Sequence, residues 1–519
     1  MKTNIFLTTI ITASLFSLTA CDNFLTETDP NHIVAENYFS TENDVERAVN
    51  GAYLALRSGS CMGEGSTAYT EERSDNTGRL DNQSAAGEPF QFTDFSLLPS
   101  NTYLKSHWQA MFKTVKNANF SIQGAEKVAF DNDETKQNYI AEARFVRALV
   151  YFDIVRKWGD APLITDDLTT PAEITAHTYR EDKAKIYQQI VDDLKFVLEK
   201  STLPNHQPED RKGHANKAAA AGLLGKVYLT MAHVLDNSQR SKNLKSAQTY
   251  LDMCYQMKEF GNLNEISYSE VFDVATKSTC KEILFQIVYK QGDKDYSSSI
   301  AERNYAEGGD INITSVVKKG EGTYVNPDIV SEFETAENNY IYPNNNEDKR
   351  RKWSIGHSEI KKQYYITKFR DLQAGESGYG GNDWIILRYA DVILMLAEVN
   401  EALNQDKEAI NYLNMVRTRA GLPDYETSKS NPTYNSKFPT LKLAILHERR
   451  SELAFENQRW YDLLRFFTPE ELVTYMHAKD GENYGISNLQ NFTETDIYYP
   501  IPYDEWKLNP EGMYQNPGY

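Results

Sequence analysis

Two stretches with helical spacing, 386–404 and 407–420, are separated only by Gln405 and Asp406. So short a link makes the two helices antiparallel neighbours, an αα-hairpin. Ala397 and Ala409 sit twelve residues apart on opposite sides of this turn, Leu413 and Val416 follow on the apolar face, and Pro423 ends the unit. Small residues at such positions let helices cross closely, the mechanical basis of a tetratricopeptide-type repeat. Spacing alone leaves a generic helical array open. The same periodicity predicts helices over 41–57, 103–128, 131–158, 182–200, 216–232, 244–257 and 441–467. Trp108, Trp158 and Trp460 fall on these patterns and read as core. Pairing the helices gives four hairpins with no strict 34-residue period.

Two regions break the pattern. Residues 58–100 are rich in Gly, Ser and Asp and read as a surface excursion. From 258 to 382 the helical signal mostly fails, apart from a strand-like run over 282–289. The rest is rich in Gly, Asn, Asp, Tyr and Arg, and its aromatic content argues against disorder. Insertions this long in a compact protein are usually functional.

The N-terminus reads as an address. Lys2 is the only charge before Cys21, and an apolar run covers residues 5–20. It ends in Leu18-Thr19-Ala20-Cys21, which resembles the lipobox of bacterial lipoproteins. The expected organisation is a signal peptide over 1–20 and a single domain over 21–519, with insertions near 58–102 and 258–383 and a lipid on Cys21. Several acyl chains anchor firmly where one is marginal. No later 19-residue window lacks charge, so no further segment reads as a membrane span. A net charge of −19 speaks against a nucleic-acid partner. Four cysteines exclude a disulfide scaffold. Beyond Cys21 only Cys61, Cys254 and Cys280 remain, so at least one is a free thiol.

Searches for chemistry return little. His447-Glu448 begins like a zinc motif, but Ser451 stands where the second His belongs. Gly222-x-x-Gly225-Lys226 lies inside an Ala-rich helix and continues with Val227, so it is no phosphate loop. Asp131, Asp133 and Glu142 have calcium-loop spacing, yet Lys136 holds the obligatory glycine position and a helix start fits better. No carboxylate pair stands out as a glycosidase dyad. The expectation is a protein that is not an enzyme, with no catalytic residues, metal or cofactor. The charged string 447–466 reads as a structural tie between helices, because Arg–carboxylate pairs can be bidentate.

Several strings in order along the chain resemble the SusD/RagB family of outer-membrane nutrient-binding lipoproteins. They are Cys21-Asp-Asn-Phe-Leu25, Asn37–Glu42 through Gly51-Ala-Tyr53, Ala141–Ala148 through Trp158-Gly-Asp-Ala-Pro162, and Lys217-Ala-Ala through Tyr228-Leu229. Leu387–Val392 with Ala397-Glu398, Glu448–Arg465, Tyr499-Pro-Ile-Pro502 and Gln515–Tyr519 complete the set. The resemblance implies a mainly α fold in which four tetratricopeptide-like hairpins form a scaffold carrying long irregular loop insertions and a few short strands. It implies oligosaccharide capture at the cell exterior, with hand-over to a SusC-like TonB-dependent transporter. The alternatives are oligopeptide capture in the manner of the RagB branch, or an interaction module without a ligand.

Sugar rings stack C–H faces on Tyr and Trp, which offer rigid area with a polar handle. Tyr outnumbers Phe here, 33 to 23, consistent with that use. The candidate ligand residues are Tyr69, Asp75, Asn76, Arg79, Asn101 and Tyr103 from the first insertion. The second contributes Tyr296, Tyr305, Tyr324, Trp353 and Tyr379.

Overall fold

The computed structural model describes residues 38–79, 87–304, 323–372, 374, 378–479 and 488–519. Cys21 with its leader, and Tyr305, lie outside the described residues.

Eight helices form the scaffold: α1 (Glu42–Leu56), α2 (Thr102–Lys127), α3 (Asp133–Trp158), α4 (Lys183–Lys200), α5 (Lys217–Val234), α6 (Arg240–Gln256), α7 (Tyr389–Ala402) and α8 (Asp406–Ala420). Each packs on the next, giving the four hairpins α1/α2, α3/α4, α5/α6 and α7/α8. Their starts follow from side-chain caps that satisfy otherwise unpaired backbone N–H groups. Asn101, Asn132, Asp182 and Asn216 accept from Leu104 N, Glu134 N, Ala184 N and Ala219 N. Asp133 thus stands in an acidic first turn, as the helix-start reading of 131–142 expects. In α5/α6 the crossing is close because α5 presents glycines. A Cβ on Gly225 would lie 2.6 Å from Leu251 Cγ, and one on Gly222 would lie 3.1 Å from Cys254 Sγ. Trp108, Trp158 and Trp460 are buried, as expected. Cys61, Cys254 and Cys280 are all free and buried.

Three expectations are corrected. Residues 384–388 form strand β6 (Trp384–Arg388), which pairs antiparallel with β2 (Ile283–Ile287), so the helix expected from 386 starts at Tyr389. The helix expected over 441–467 is two: α9 (Leu441–Glu452) and α10 (Arg459–Phe466). Phe455 and Asn457 between them take φ of 67° and 59°, which no α-helix accommodates. The third concerns 58–100. Residues 61–64, 66 and 69–78 are almost all buried, so the segment's first half runs through the interior rather than over the surface.

That interior is ionic. Glu452 on α9 meets Arg350 (3.0 Å), Arg388 (2.7 Å) and Arg419 (2.5 Å). Glu448 meets Arg350 (2.6 Å) and Arg417 (3.0 Å). Arg449 joins Asp391 (2.9 Å) to Asp462 (2.8 Å), and Arg465 grips Glu398 through two bonds of 2.9 Å. The string 447–466 therefore ties α7, α8, α9 and α10 together through buried, paired charges, although Arg449 Nε and Nη1 and Asp462 Oδ2 have no hydrogen-bond partner among the described residues.

Candidate functional site

The two insertions, apart in sequence by some two hundred residues, are joined at two seams. At the first, the Glu64 carboxylate accepts Ser299 N (2.8 Å), Ser299 Oγ (2.7 Å) and Ile300 N (3.2 Å), with a further short bond from Ser298 Oγ. Arg303 donates to Glu64 O at 3.1 Å. At the second seam, β1 (Thr77–Arg79) pairs antiparallel with β3 (Thr323–Val325). β5 (Gln363–Ile366) and β4 (Ile355–Ser358) extend this sheet in the order β1-β3-β5-β4. Tyr324 packs across bare backbone at Gly78, where a Cβ would lie 2.5 Å from the Tyr324 hydroxyl. Only glycine permits that approach.

Between the seams lies a cleft of about 80 Å³ lined by Glu71, Glu72, Arg79, Arg303, Asn304 and Phe455, among others. Arg79 grips Glu72 through Nε (2.7 Å) and Nη2 (3.2 Å). Burial pushes the Glu71 carboxyl up to about 7, although Asn76 Nδ2 (2.9 Å), Asn457 N (3.0 Å) and Phe455 N (3.2 Å) all donate to it. Those two backbone donors are what hold the α9–α10 elbow in its left-handed conformation. The cleft is far below the roughly 300–1,000 Å³ of an enclosing ligand pocket, so it is a notch on a surface site.

Aromatic groups lie on the same insertions. The Arg57 guanidinium stacks over Tyr296 (4.3 Å to the centroid), whose side chain is 46% exposed. The 290–298 loop is fixed by Lys290 N to Tyr296 O (2.8 Å), Gly292 N to Tyr379 O (2.9 Å) and a Ser298–Gly380 bridge. Gln291 Nε2 donates to both Asp371 oxygens (2.7 and 2.9 Å). Beside it, Arg370 lies over half-buried Trp353 at 4.1 Å. The Trp353 Nε1–H is buried without a partner among the described residues, a donor left over by the fold.

The structure thus brings Arg79 and Tyr324 together across β1/β3, and Tyr296 with Tyr379 across one loop pair; Trp353 sits on the short helix Lys349–Ser354. Tyr305 follows Asn304 of the cleft in sequence but lies outside the described residues. Five expected residues are interior instead, Tyr324 among them at 7% exposure. Tyr69 stacks on His107 at 4.2 Å, and Asn101 caps α2. Asp75 is paired with Arg459 (2.7 Å) and Arg450 (3.1 Å), while Asn76 bonds Glu71 and Arg450. Tyr103 is half-buried against the core. Arg57, Glu72, Arg303 and Arg370 escaped the sequence reading. Arg57, at the end of α1 where the first insertion begins, carried a positional signal; the others had none.

Among the described residues one group, Glu334, His447 and Glu448, has metal-ligand spacing. Its donors are already engaged: Arg417 bonds both glutamates, and His447 Nε2 meets Glu334 at 3.0 Å. Burial would lower the His447 pKa, but bonds to Glu332 and Glu334 raise it instead. With both ring nitrogens bonded to carboxylates, His447 has no ring nitrogen left for a metal ion.

Residues 23–229 match a family model described as starch-binding, associating with the outer membrane, and residues 361–519 match that of the SusD family. SusD-like protein P2 of Formosa agariphila is 28% identical over 97% of this chain and 98% of its own. A SusD-like protein of Bacteroides ovatus is 23% identical over 90% and 84%. Among solved structures, a laminarin binding SusD-like protein matches with a TM-score of 0.71 at 23% identity, covering 93% of this chain and 100% of its own. Surface glycan-binding protein A from Bacteroides thetaiotaomicron, in complex with laminarihexaose, has a TM-score of 0.71 at 18% identity, covering 92% and 100%. At these identities the structural likeness establishes the shared fold.

Proposed function

The chain belongs to the SusD family, and from that premise we propose that it captures oligosaccharides at the cell surface and passes them to a SusC-like TonB-dependent transporter. In this reading Cys21 carries the lipid that holds residues 21–519, a single functional unit, on the outer face of the outer membrane. Binding proceeds without cleavage of the glycan.

The observation that carries the reading is the joining of both insertions, which sets the exposed Tyr296 face, Arg57 and the Arg79–Glu72 pair on one rigid platform. A tyrosine face takes the C–H side of a sugar ring, while Arg and carboxylate groups bond its hydroxyls. Of the sequence candidates, Arg79, Tyr296, Trp353 and Tyr379 remain for this role, joined by Arg57, with buried Tyr324 supporting the sheet beneath Arg79. The relatives that name a glycan in their descriptions support the same ligand class.

Calorimetry of the chain lacking its leader, against matched panels of oligosaccharides and oligopeptides, tests this. The expected result is saturable glycan binding at micromolar to millimolar Kd, about 4–8 kcal/mol, weakened by Tyr296→Ala. Saturable binding of peptides alone would transfer the protein to the RagB-like reading. No binding in either panel would leave an interaction module, and shortened glycans in the cell would make it an enzyme.

A further inference from the structure

A second, larger concavity lies away from the insertions. It is a cavity of about 720 Å³ in the helical scaffold, where α3, α5 and α7 end, α4 begins, and α10 turns into α11 (Pro469–His477). None of its lining comes from 58–102 or 258–383. Its volume falls in the ordinary range for small-molecule sites, about 300–1,000 Å³.

The charge of the lining is unbalanced in an unusual direction for a chain of net charge −19. Lys183, Arg240 and Lys442 line the cavity, and none has a carboxylate within ion-pair distance among the described residues. Lys183 Nζ reaches only the Tyr498 hydroxyl, at 3.4 Å. Arg240 finds the Ala232 carbonyl at 3.4 Å and His233 Nδ1 at 3.5 Å, both at the limit of a hydrogen bond. The lining carboxylates are otherwise committed: Glu398 to Arg465, and Glu471 to the cap of α11 through Thr468 N (2.9 Å). Burial raises the Glu401 carboxyl, while Lys442 and Arg240 nearby pull it down, so Glu401 is the lining carboxylate that faces these cations, beyond ion-pair distance.

His233 adds an independent sign. Its Nε2 is buried and has no partner. Burial lowers its pKa to about 4, so the ring is neutral at pH 7. With Nδ1 facing the Arg240 donor, the proton belongs on Nε2, a buried N–H with no acceptor among the described residues.

We propose that this cavity is a second ligand site, for a carboxylate-bearing compound of disaccharide or tripeptide size. Arg240, Lys183 and Lys442 would meet the carboxylates, with His233 behind Arg240, and the faces of Tyr498 and Phe467 would cover its apolar side. The proposal is independent of glycan capture at the insertions, because no residue is shared.

The test is calorimetry of the full folded chain with digalacturonate and with triglutamate, each against a neutral counterpart (a digalactoside and triglutamine). The expected result is saturable binding of at least one acid, at least tenfold tighter than its neutral partner and weakened by raised salt. Which acid binds identifies the source of the carboxylate. Lys442→Gln combined with Arg240→Gln is expected to weaken that binding at least tenfold. Lys442 is exposed and bonded to nothing, so Lys442→Gln alone gives a folded reference. In parallel, the His233 ring nitrogen resonance should shift on saturation. Absence of binding by both acids, equal binding of the neutral compounds, or an unshifted His233 signal would each overturn the proposal.

Discussion

Arginine does opposite work in two parts of this molecule. Around α9, Arg350, Arg388, Arg417 and Arg419 are fully buried and share Glu282, Glu334, Glu448 and Glu452. On the insertions, Arg57 lies over a tyrosine that is nearly half exposed, with only the Asp295 carbonyl (3.3 Å) for a partner. Every nitrogen of the buried guanidiniums except Arg419 Nε has an acceptor inside the protein. The exposed one keeps most of its donors for something else. Residue type alone is therefore a poor guide to binding, and spare hydrogen-bonding capacity is the better one.

The largest effect that separates the two regions is expected at Glu452. Glu452→Ala leaves three buried guanidiniums short of a counter-charge, and removing one partner of a buried pair costs about 3–5 kcal/mol. The melting temperature should fall steeply, or the chain should fail to accumulate folded. A melt within a degree or two of the parent would mean that the network is dispensable. Acid should expose the same region. Burial alone would raise Glu334 and Glu452, but Arg417 beside the first and Arg419, Arg388 and Arg350 beside the second hold both far below the usual carboxylate range. Their contribution is complete above the unfolded pKa of ~4.3 and is lost as pH falls below it. Urea midpoints measured from pH 6 to pH 3 should therefore drop most steeply under pH ~4.3. Glu71 has the opposite sign. Raised to about 7, it contributes most at low pH and loses that contribution as pH climbs towards 7. A carboxyl carbon resonance titrating near 7, rather than near 4, would identify it.

Smaller effects belong to the insertion face. Gly78→Ala forces Tyr324 off the β1 backbone, at about 1–3 kcal/mol for an overpacked contact, and should weaken glycan binding in the same preparation. Tyr296→Ala should change stability by less than about 0.5 kcal/mol, as exposed substitutions do. Its effect should appear as a loss of glycan affinity near tenfold, about 1.4 kcal/mol. If Tyr296→Ala destabilises the fold as much as Gly78→Ala, the Arg57 stack is structural and the contrast between the regions collapses.

The scaffold was readable because its signals are local. Asn132, Asp182 and Asn216 stand within a few residues of the helix starts they cap, and Ala397 and Ala409 flank the two-residue turn of α7/α8, whereas the glycines of the α5/α6 crossing were legible only as a failed phosphate loop. The first insertion misled for the opposite reason. Its Gly, Ser and Asp content suggests exposure, yet Asp75 is bonded by Arg459, 384 residues further on. The same long reach breaks the expected 441–467 helix, since Glu71 captures the N–H groups of Phe455 and Asn457. Tyr296 kept its surface position because its neighbour Arg57 comes from the scaffold's edge, not from its centre.

The β1–β3 ladder has a consequence in time. As the chain emerges from the ribosome, Thr77–Arg79 must wait some 245 residues for Thr323–Val325 to arrive. Loop-closure entropy makes such distant pairings late events in folding. The hairpins can nucleate early from neighbouring residues, so a newborn molecule should hold its helices before it owns a binding face. Any truncation ahead of Val325 would leave a helical stub with no platform at all.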